Sequence, residues 1–183
     1  MINWDYPEKP EYMVYPDSAK LQKMFGPLEF VPAPTKAFPK GIKITNDFVK
    51  DNIIVVSVPQ LIGFKGAPKN GKVYFHKKAA NALQGLFYEL EHENIMDDIL
   101  TWDGAFYPRL IRGGGNTLSN HAFGIAFDIN AQYNGIGVTP ALPRYGVKGC
   151  VYRIVKVATK HGFFWGGWYR NRKDGMHFEW IGV

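Results

Sequence analysis

Two short segments carry residues whose types and spacing could bind a metal ion. The first is SNHAFGIAFDIN, in which His121 and Asp128 are seven residues apart. The second is KDGMHFEW, in which Asp174 precedes His177 by three residues. Two histidines and one carboxylate with a vacant fourth position are typical of a catalytic zinc site, whereas a closed structural site usually contains cysteines. A further carboxylate beside such a site could take a proton from a water molecule.

The alternation of side chains along a strand decides whether His121 and Asp128 can share a site. Alternate residues within 125–129 are apolar, which leaves Asp128 on a second face of small residues. His121 is an odd number of residues from Asp128, so an unbroken strand would point the two to opposite faces. We therefore expect a turn or bulge near 122–123, with Gly124 permitting the bend.

The second segment also alternates. Met176, Phe178 and Trp180 are predicted to form a core face, which places His177 and Glu179 together on the opposite one. Glu179 is interpreted as an acceptor that orients His177. A histidine beside an apolar strand can also be a hydrogen-bonded structural residue, and this alternative stays open for both segments. The other histidines are interpreted as structural or solvated: His76, His92 and His161.

The elements that must position these residues follow from hydrophobic periodicity and from glycine and proline signals. A short helix is predicted over SAKLQKMFG, with Asp17 or Ser18 as N-cap and Gly26 at its end. Further elements are predicted as strands at 52–58 and 72–76, a helix in KKAANALQGLFYELEHEN, an extended segment AFYPRLIR, a turn at 113–116, a helix at 148–161 and a closing strand MHFEWIGV. Without a regular βαβ rhythm, these elements indicate an α+β fold with a mainly antiparallel sheet flanked by helices.

Length and composition predict one domain over residues 1–183, large enough to bury a core without disulfides. Residues 1–40 contain seven of the twelve prolines and are predicted to form an extended arm packed on that domain. The single cysteine, Cys150, cannot form an intramolecular disulfide and is expected to be a small buried residue. No stretch approaches the roughly 20 apolar residues of a membrane span, so we expect no membrane insertion.

The net charge of +6 and the pI of about 9.3 favour encounters with polyanions such as nucleic acid, anionic membranes or cell wall. The basic residues are scattered without a run of like charges, which argues against a nucleic-acid partner. The first sixteen residues are acidic, aromatic and proline-rich, with no basic and apolar regions typical of a secretory signal. We therefore expect synthesis in the cytoplasm without a signal peptide.

Together these segments resemble the VanY-type family of zinc D-Ala-D-Ala carboxypeptidases and L-alanoyl-D-glutamate endopeptidases, which includes phage endolysins and shares a fold with hedgehog signalling domains. The family pattern S-x-H-x-x-G-x-A-x-D is present at 119–128, and the downstream pattern D/E-x-x-H is present at 174–177. The aromatic segment HGFFWGGWYRNRKDGMHFEW is also similar to family members, so the resemblance spans about 106–180. The first hundred residues match only loosely.

This resemblance implies a hedgehog/DD-peptidase-like fold and a Zn²⁺ ion bound by His121, Asp128 and His177. It also implies metal-assisted hydrolysis of an amide bond, with Asp174 as general base and later as general acid.

Family members also use an arginine to polarise the scissile carbonyl, for which Arg109 and Arg112 in YPRLIRGG are the candidates. They are three residues apart in a predicted extended segment and are therefore expected on opposite faces, with a slight preference for Arg109 as the catalytic one. Each could instead be a solvated surface charge. Ser119 and Trp165 are candidates to line the substrate cleft, although a serine capping the turn and a tryptophan in the core are equally consistent.

The function implied is a peptidoglycan hydrolase that cuts the stem peptide, expected to be an L-Ala-D-Glu type endopeptidase. A D,D-carboxypeptidase of the same family and a non-catalytic zinc-containing binding module are the alternatives. The expected partner is the peptidoglycan stem peptide, the expected oligomeric state is a monomer, and the expected place of action is the cell wall after release, as for a phage or prophage lysin.

Overall fold

The computed structural model describes residues 6–113, 115–142 and 147–182. The α-helices in these residues are α1 (Ser18–Phe25), α2 (Phe48–Asn52), α3 (Ala80–His92), α4 (Ala131–Asn134) and α5 (Tyr152–Lys160). The strands are β1 (Phe30–Pro32), β2 (Ile42–Ile44), β3 (Ile53–Ser57), β4 (Lys72–His76), β5 (Trp102–Gly104), β6 (Ala126–Ile129), β7 (Phe163–Trp165) and β8 (His177–Trp180). Short 3₁₀ turns occupy Pro59–Leu61, Met96–Asp98 and Gly166–Trp168. None of the described helices is long and apolar enough to cross a membrane.

The strands pair into three sheets, and every pairing between strands of the described residues is antiparallel. Two sheets are hairpin-like pairs, β1 with β2 and β3 with β4. The third has four strands in the order β5-β6-β8-β7. The predicted α+β class with antiparallel strands is confirmed, whereas the hedgehog-like topology stays a prediction.

The core face of the four-stranded sheet is aromatic. The ring of Phe127 on β6 stacks on Phe178 of β8 at 5.3 Å and on Trp102 of β5 at 5.5 Å between ring centroids. Phe87 of α3 packs on Phe127 from the helix side, at 5.9 Å. Helix α5 packs on β7 and on α3, with its apolar residues buried. This packing fixes the positions of β6 and β8, whose opposite faces are then free to hold polar side chains.

The predicted elements differ from the structure mainly at their ends. Helix α1 begins after Asp17, whose carboxylate accepts a hydrogen bond from the Lys20 backbone N–H at 2.8 Å, and ends at Gly26, as predicted. The helix predicted at 148–161 begins only at Tyr152, because Gly149 has a φ of +80° and cannot continue a helix.

The segment AFYPRLIR was expected to be extended, but it bends at Ala105, turns at Arg112 and forms only isolated bridges between Gly41 and Arg109 and between Leu110 and Leu118. In the predicted turn at 113–116, Gly114 lies outside the described residues.

Two predicted core positions are wrong. Met176 was predicted on the core face of the last strand, but it precedes β8 and is half-buried in the lining of a surface cleft. Cys150 is half-buried rather than buried, with its sulfur 3.6 Å from the Tyr6 hydroxyl.

Part of the proline-rich N-terminal segment contacts the rest of the protein through apolar side chains. The Tyr6 ring lies 4.4 Å from Trp165, and Met13 packs in a small buried cluster with Phe164 and Ile181. Residues 1–5 lie outside the described part, so the predicted arm over 1–40 and the single domain stay predictions.

The turn that precedes β6 brings His121 toward the strand's polar face. The Ala122 N–H donates to the Ser119 carbonyl at 2.8 Å, and the Gly124 N–H donates to the His121 carbonyl at 3.1 Å. Gly124 has a φ of +69°, and a β-carbon there would lie 2.6 Å from Ile53 Cδ1. The predicted turn permitted by Gly124 is therefore confirmed.

Gly124→Ala is expected to lower the free energy of unfolding by about 2–3 kcal/mol, because positive φ costs roughly 1–2 kcal/mol and the added β-carbon also lies 3.2 Å from the His76 backbone nitrogen, which cannot move aside as the Ile53 methyl group can. Gly63 is a matched control, since its φ is +92° but a β-carbon there meets nothing within 4 Å. Gly63→Ala should cost only the backbone part, about 1 kcal/mol. Chemical denaturation of both variants measures the difference, and equal losses would contradict the steric argument.

Candidate metal centre

Three buried side chains bring ligand atoms together at one end of β6 and β8. The Asp128 Oδ1 lies 2.9 Å from His177 Nδ1 and 3.2 Å from His121 Nε2, and these two nitrogens are 3.1 Å apart. Asp128 and His177 are direct partners in the β6–β8 register, and His121 comes from the turn before β6. The three side chains predicted to share a site are therefore adjacent, and they form a group that could hold a metal ion.

Hydrogen bonds on the far side of each ring determine which nitrogen faces the cluster. The His121 Nδ1–H donates to the Ala105 carbonyl at 2.6 Å, and the His177 Nε2–H donates to Glu179 Oε2 at 3.1 Å. When the imidazoles are neutral, the inward nitrogens, Nε2 of His121 and Nδ1 of His177, therefore carry lone pairs, as does Asp128 Oδ1. Three acceptors at this spacing repel unless a cation lies between them, so the donor set fits a divalent metal such as zinc.

The pKa values of Asp128 and His177 also indicate that positive charge stabilises the cluster. Burial alone would raise the pKa of Asp128, but His121 and His177 hold it well below its usual range. Burial alone would lower the pKa of His177, but hydrogen bonds to Asp128 and Glu179 outweigh it and raise that pKa to about 10. The cluster is therefore stabilised by positive charge beside the Asp128 carboxylate, which either a proton or a metal ion supplies.

Asp174 lies at the edge of this cluster with a buried carboxylate oxygen. Its Oδ1 has no hydrogen-bond partner among the described residues. Burial raises the pKa of Asp174, with the nearby Asp128 acting in the same direction. The backbone is held in place, because the Asp174 N–H donates to the Gly166 carbonyl at 3.0 Å and the Asp174 carbonyl accepts from the His177 N–H at 3.1 Å. Asp174 thus presents an unsatisfied acceptor, which suits a proton-accepting role.

Both candidate arginines line the cleft, so the expectation that they face opposite sides is wrong. The reason is that the chain turns at Arg112 instead of continuing as a strand. Arg109 is half-buried, and burial lowers its pKa while the charges of Asp128 and Asp174 act in the opposite direction. Arg112 is exposed. Arg109 lies near both carboxylates, and this favours Arg109 over Arg112 as the arginine that acts on the substrate carbonyl.

The cleft continues on both sides of the metal cluster. One cavity of about 620 Å³ lies on the His177 side and includes Ser119 and Asp174 in its lining. A second, of about 390 Å³, lies on the His121 side. Asp128 borders both cavities, as do the two arginines. The site therefore lies within a groove rather than at the bottom of a one-sided pocket.

Of the two predicted cleft residues, only Ser119 borders the groove. Trp165 does not, and the prediction that it contacts substrate is wrong. Its side chain is fully buried, its indole N–H donates to the Gly175 carbonyl at 2.8 Å, and its ring lies directly under Gly167. Trp165 supports the turn that carries Asp174 instead of contacting ligand.

The histidines outside the cluster have structural surroundings. His76 is fully buried, with Nε2 2.9 Å from the Phe25 carbonyl. His161 lies 2.8 Å from a carboxylate oxygen of Glu89. His92 is exposed, with its ring stacked on Tyr88.

Three functional candidates escaped the sequence analysis because their role depends on contacts around Glu179. Asn120 and Tyr169 donate hydrogen bonds to its carboxylate, and Tyr15 accepts one from Asn120. Asn120 lies inside the first motif and Tyr169 inside the aromatic segment, so the sequence marked both as close to the site. It did not show that both would hydrogen-bond to Glu179. Tyr15 is distant in sequence and carried none.

A comparison with protein families supports the interpretation of this cluster as a peptidase metal site. The family model described as D-alanyl-D-alanine carboxypeptidase matches residues 112–180. The VanY-type assignment is confirmed for this segment. It contains the three candidate ligands and Asp174, whereas Arg109 precedes it. No curated protein and no solved structure matches the chain.

The match of residues 112–180 to this peptidase family model, together with the buried group, makes metal content the first property to measure. Protein purified without added metal and then supplied with zinc should hold about one ion per chain by mass spectrometry, the number that one such site accepts. His121→Ala should hold little, because it removes one of three ligands. His92→Ala is the matched control, since its exposed ring lies outside the cluster, and it should bind as the wild type does. No zinc in the wild type would refute the metal site.

Proposed function

We propose that the protein is a zinc-dependent peptidoglycan hydrolase that cleaves an amide bond of the stem peptide, as an L-Ala-D-Glu type endopeptidase. The observation that carries this proposal is the buried cluster of His121, Asp128 and His177 with the unsatisfied Asp174 oxygen beside it. Three ligands and a separate carboxylate are the requirements of metal-assisted amide hydrolysis.

Asp174 and Arg109 have separate roles in this reaction. When bound, zinc would act as a Lewis acid that polarises the carbonyl and lowers the pKa of a water molecule toward about 7. Asp174 accepts the proton of the attacking water and delivers it to the leaving amine nitrogen. The raised pKa of Asp174 brings this carboxyl closer to neutral pH, where a group that must both accept and return a proton is most effective.

Arg109 is placed to act on the substrate oxygen. Its half-buried guanidinium lies near Asp128 and Asp174 and borders both cavities, so it can donate to a carbonyl oxygen as negative charge develops there. Burial makes such a charge more effective than it would be in water. Arg112 is exposed and is better suited to attract an anionic substrate to the groove.

The groove supports an endopeptidase over a carboxypeptidase. An endopeptidase must hold peptide on both sides of the scissile bond, and cavities of about 620 and 390 Å³ flank the metal cluster. A carboxypeptidase needs room for only one residue on the leaving side. The D,D-carboxypeptidase alternative is supported by the description of the matching family.

The cell-wall setting belongs to the same proposal. A net charge of +6 suits an anionic polymer, and the expected route is synthesis in the cytoplasm followed by action on the wall after release, as a monomeric phage or prophage lysin. A non-catalytic zinc-containing module is the remaining alternative, and Asp174 argues against it because a binding module needs no proton acceptor beside its ligands.

Asp174→Asn should retain zinc and lose hydrolysis by about 10²–10⁴-fold, the usual contribution of a general acid–base group. Turbidity loss of purified wall and metal content are measured on the same preparation. Asp51→Asn, which neutralises an exposed carboxylate at the end of α2, is the control and should behave as the wild type. Unchanged lysis by Asp174→Asn would remove Asp174 from the mechanism.

Digestion of purified peptidoglycan, followed by mass spectrometry of the soluble products, separates the two peptidase activities. An endopeptidase should release stem-peptide fragments with new amino termini at D-Glu. Release of D-Ala alone, with the stems otherwise intact, would establish the carboxypeptidase and overturn the endopeptidase.

A further inference from the structure

Glu179 is a buried carboxylate whose two oxygens are held from different directions. Its side chain is 1% exposed. Oε2 accepts from His177 Nε2–H at 3.1 Å and from the Asn120 amide, and Oε1 accepts from the Tyr169 hydroxyl at 2.6 Å. The Asn120 amide also donates to the Tyr15 hydroxyl at 3.1 Å. We call Asn120, Tyr169 and Tyr15, which together hold Glu179, the carboxylate clamp.

The clamp joins three distant parts of the chain at one point. Tyr15 lies before α1, Asn120 is adjacent to His121, and Tyr169 follows the 3₁₀ turn after β7. The rings of Tyr15 and Tyr169 meet edge to face at 5.9 Å, and both pack on Phe164. Aromatic packing therefore limits the movement of both hydroxyl groups.

Stability alone gives a weak reason to bury this carboxylate. Taking a carboxylate out of water costs several kcal/mol, and a buried ion pair often does no better than an apolar replacement. Among the described residues, the basic partner of Glu179 is His177, which is charged only when protonated and is itself a candidate ligand. A buried carboxylate beside this basic group is better explained by what it does to that histidine.

We infer that Asn120 and Tyr169, with Tyr15 acting through Asn120, are positioning residues for the metal ligand His177. A glutamate has three rotatable side-chain bonds and does not stay in one orientation unless its oxygens are held. Held by the clamp, Glu179 accepts from Nε2–H, which leaves Nδ1 as the lone-pair nitrogen directed at Asp128 and His121. The N-terminal segment thus becomes part of the site through Tyr15.

This inference rests on the proposed function only in taking His177 as a metal ligand. Its test measures zinc affinity by competition with a chromophoric chelator, which needs no substrate and no catalytic turnover. The proteins compared are the wild type, Tyr169→Phe, Glu179→Gln, the double variant, Tyr15→Phe and Tyr6→Phe. Tyr6→Phe is the matched control, because it also removes a partly buried tyrosine hydrogen bond, to the Ala141 carbonyl, away from the clamp.

Glu179→Gln should weaken zinc binding by about 10- to 100-fold, and Tyr169→Phe should weaken it by about tenfold, the range for partners that orient a metal-bound histidine. Tyr169→Phe in the Glu179→Gln background should cause little further loss, because Tyr169 acts through that carboxylate. Tyr15→Phe should show a smaller loss, and Tyr6→Phe should lower the melting temperature of the metal-free protein without changing zinc affinity.

The outcomes separate the two proposals. Wild-type affinity in Tyr169→Phe and Tyr15→Phe, or additive losses in the double variant, would overturn the inference while leaving the metal site intact. Absence of zinc binding by the wild type would overturn the proposed function and the inference with it. Should Tyr169→Phe fail to fold, Tyr15→Phe decides alone, since phenylalanine keeps the ring contacts of Tyr15 and removes only the hydroxyl that accepts from Asn120.

Discussion

The pairing of Asp128 with His177 across β6 and β8 is the constraint on which the site depends. The register also pairs Phe127 with Phe178, and their stacked rings are fully buried on the other side of the sheet. A slip of one residue would exchange the two faces and bury charge in the aromatic core. Hydrophobic packing on one face therefore enforces the spacing of the polar groups on the other.

The polar face is costly to fold. It places acceptor atoms of Asp128, His121 and His177 within about 3 Å of one another and leaves an Asp174 oxygen without a partner in the described part of the chain. Burying such groups opposes folding unless a cation or a donor completes them. The aromatic packing beneath β6 and β8 offsets part of this cost.

Sequence alone predicted this arrangement where local rules decide it. Alternation in the two motifs placed Asp128, His177 and Glu179 on polar faces, and Gly124 indicated the turn that brings in His121. The sequence predicted the structure less well where contacts between distant residues determine the position of a side chain. Trp165 follows a core residue in an aromatic run, and nothing local shows that its indole lies under Gly167. The two arginines were misplaced because an isolated bridge and a turn replace the expected strand. The clamp around Glu179 depends on Tyr15, more than a hundred residues away.

The second cavity is lined partly by residues that lie outside the segment matched by the family model. Its wall includes Phe38, whose ring packs on Tyr107 at 4.9 Å, and the backbone of Gly41, which pairs with Arg109. These residues precede the family-matched segment, which carries the candidate ligands and Asp174. This side of the groove therefore also contains residues that are neither candidate ligands nor candidate proton carriers. Exchanges in the loop at 37–41 would therefore change the shape of this side of the groove without replacing a candidate ligand or Asp174.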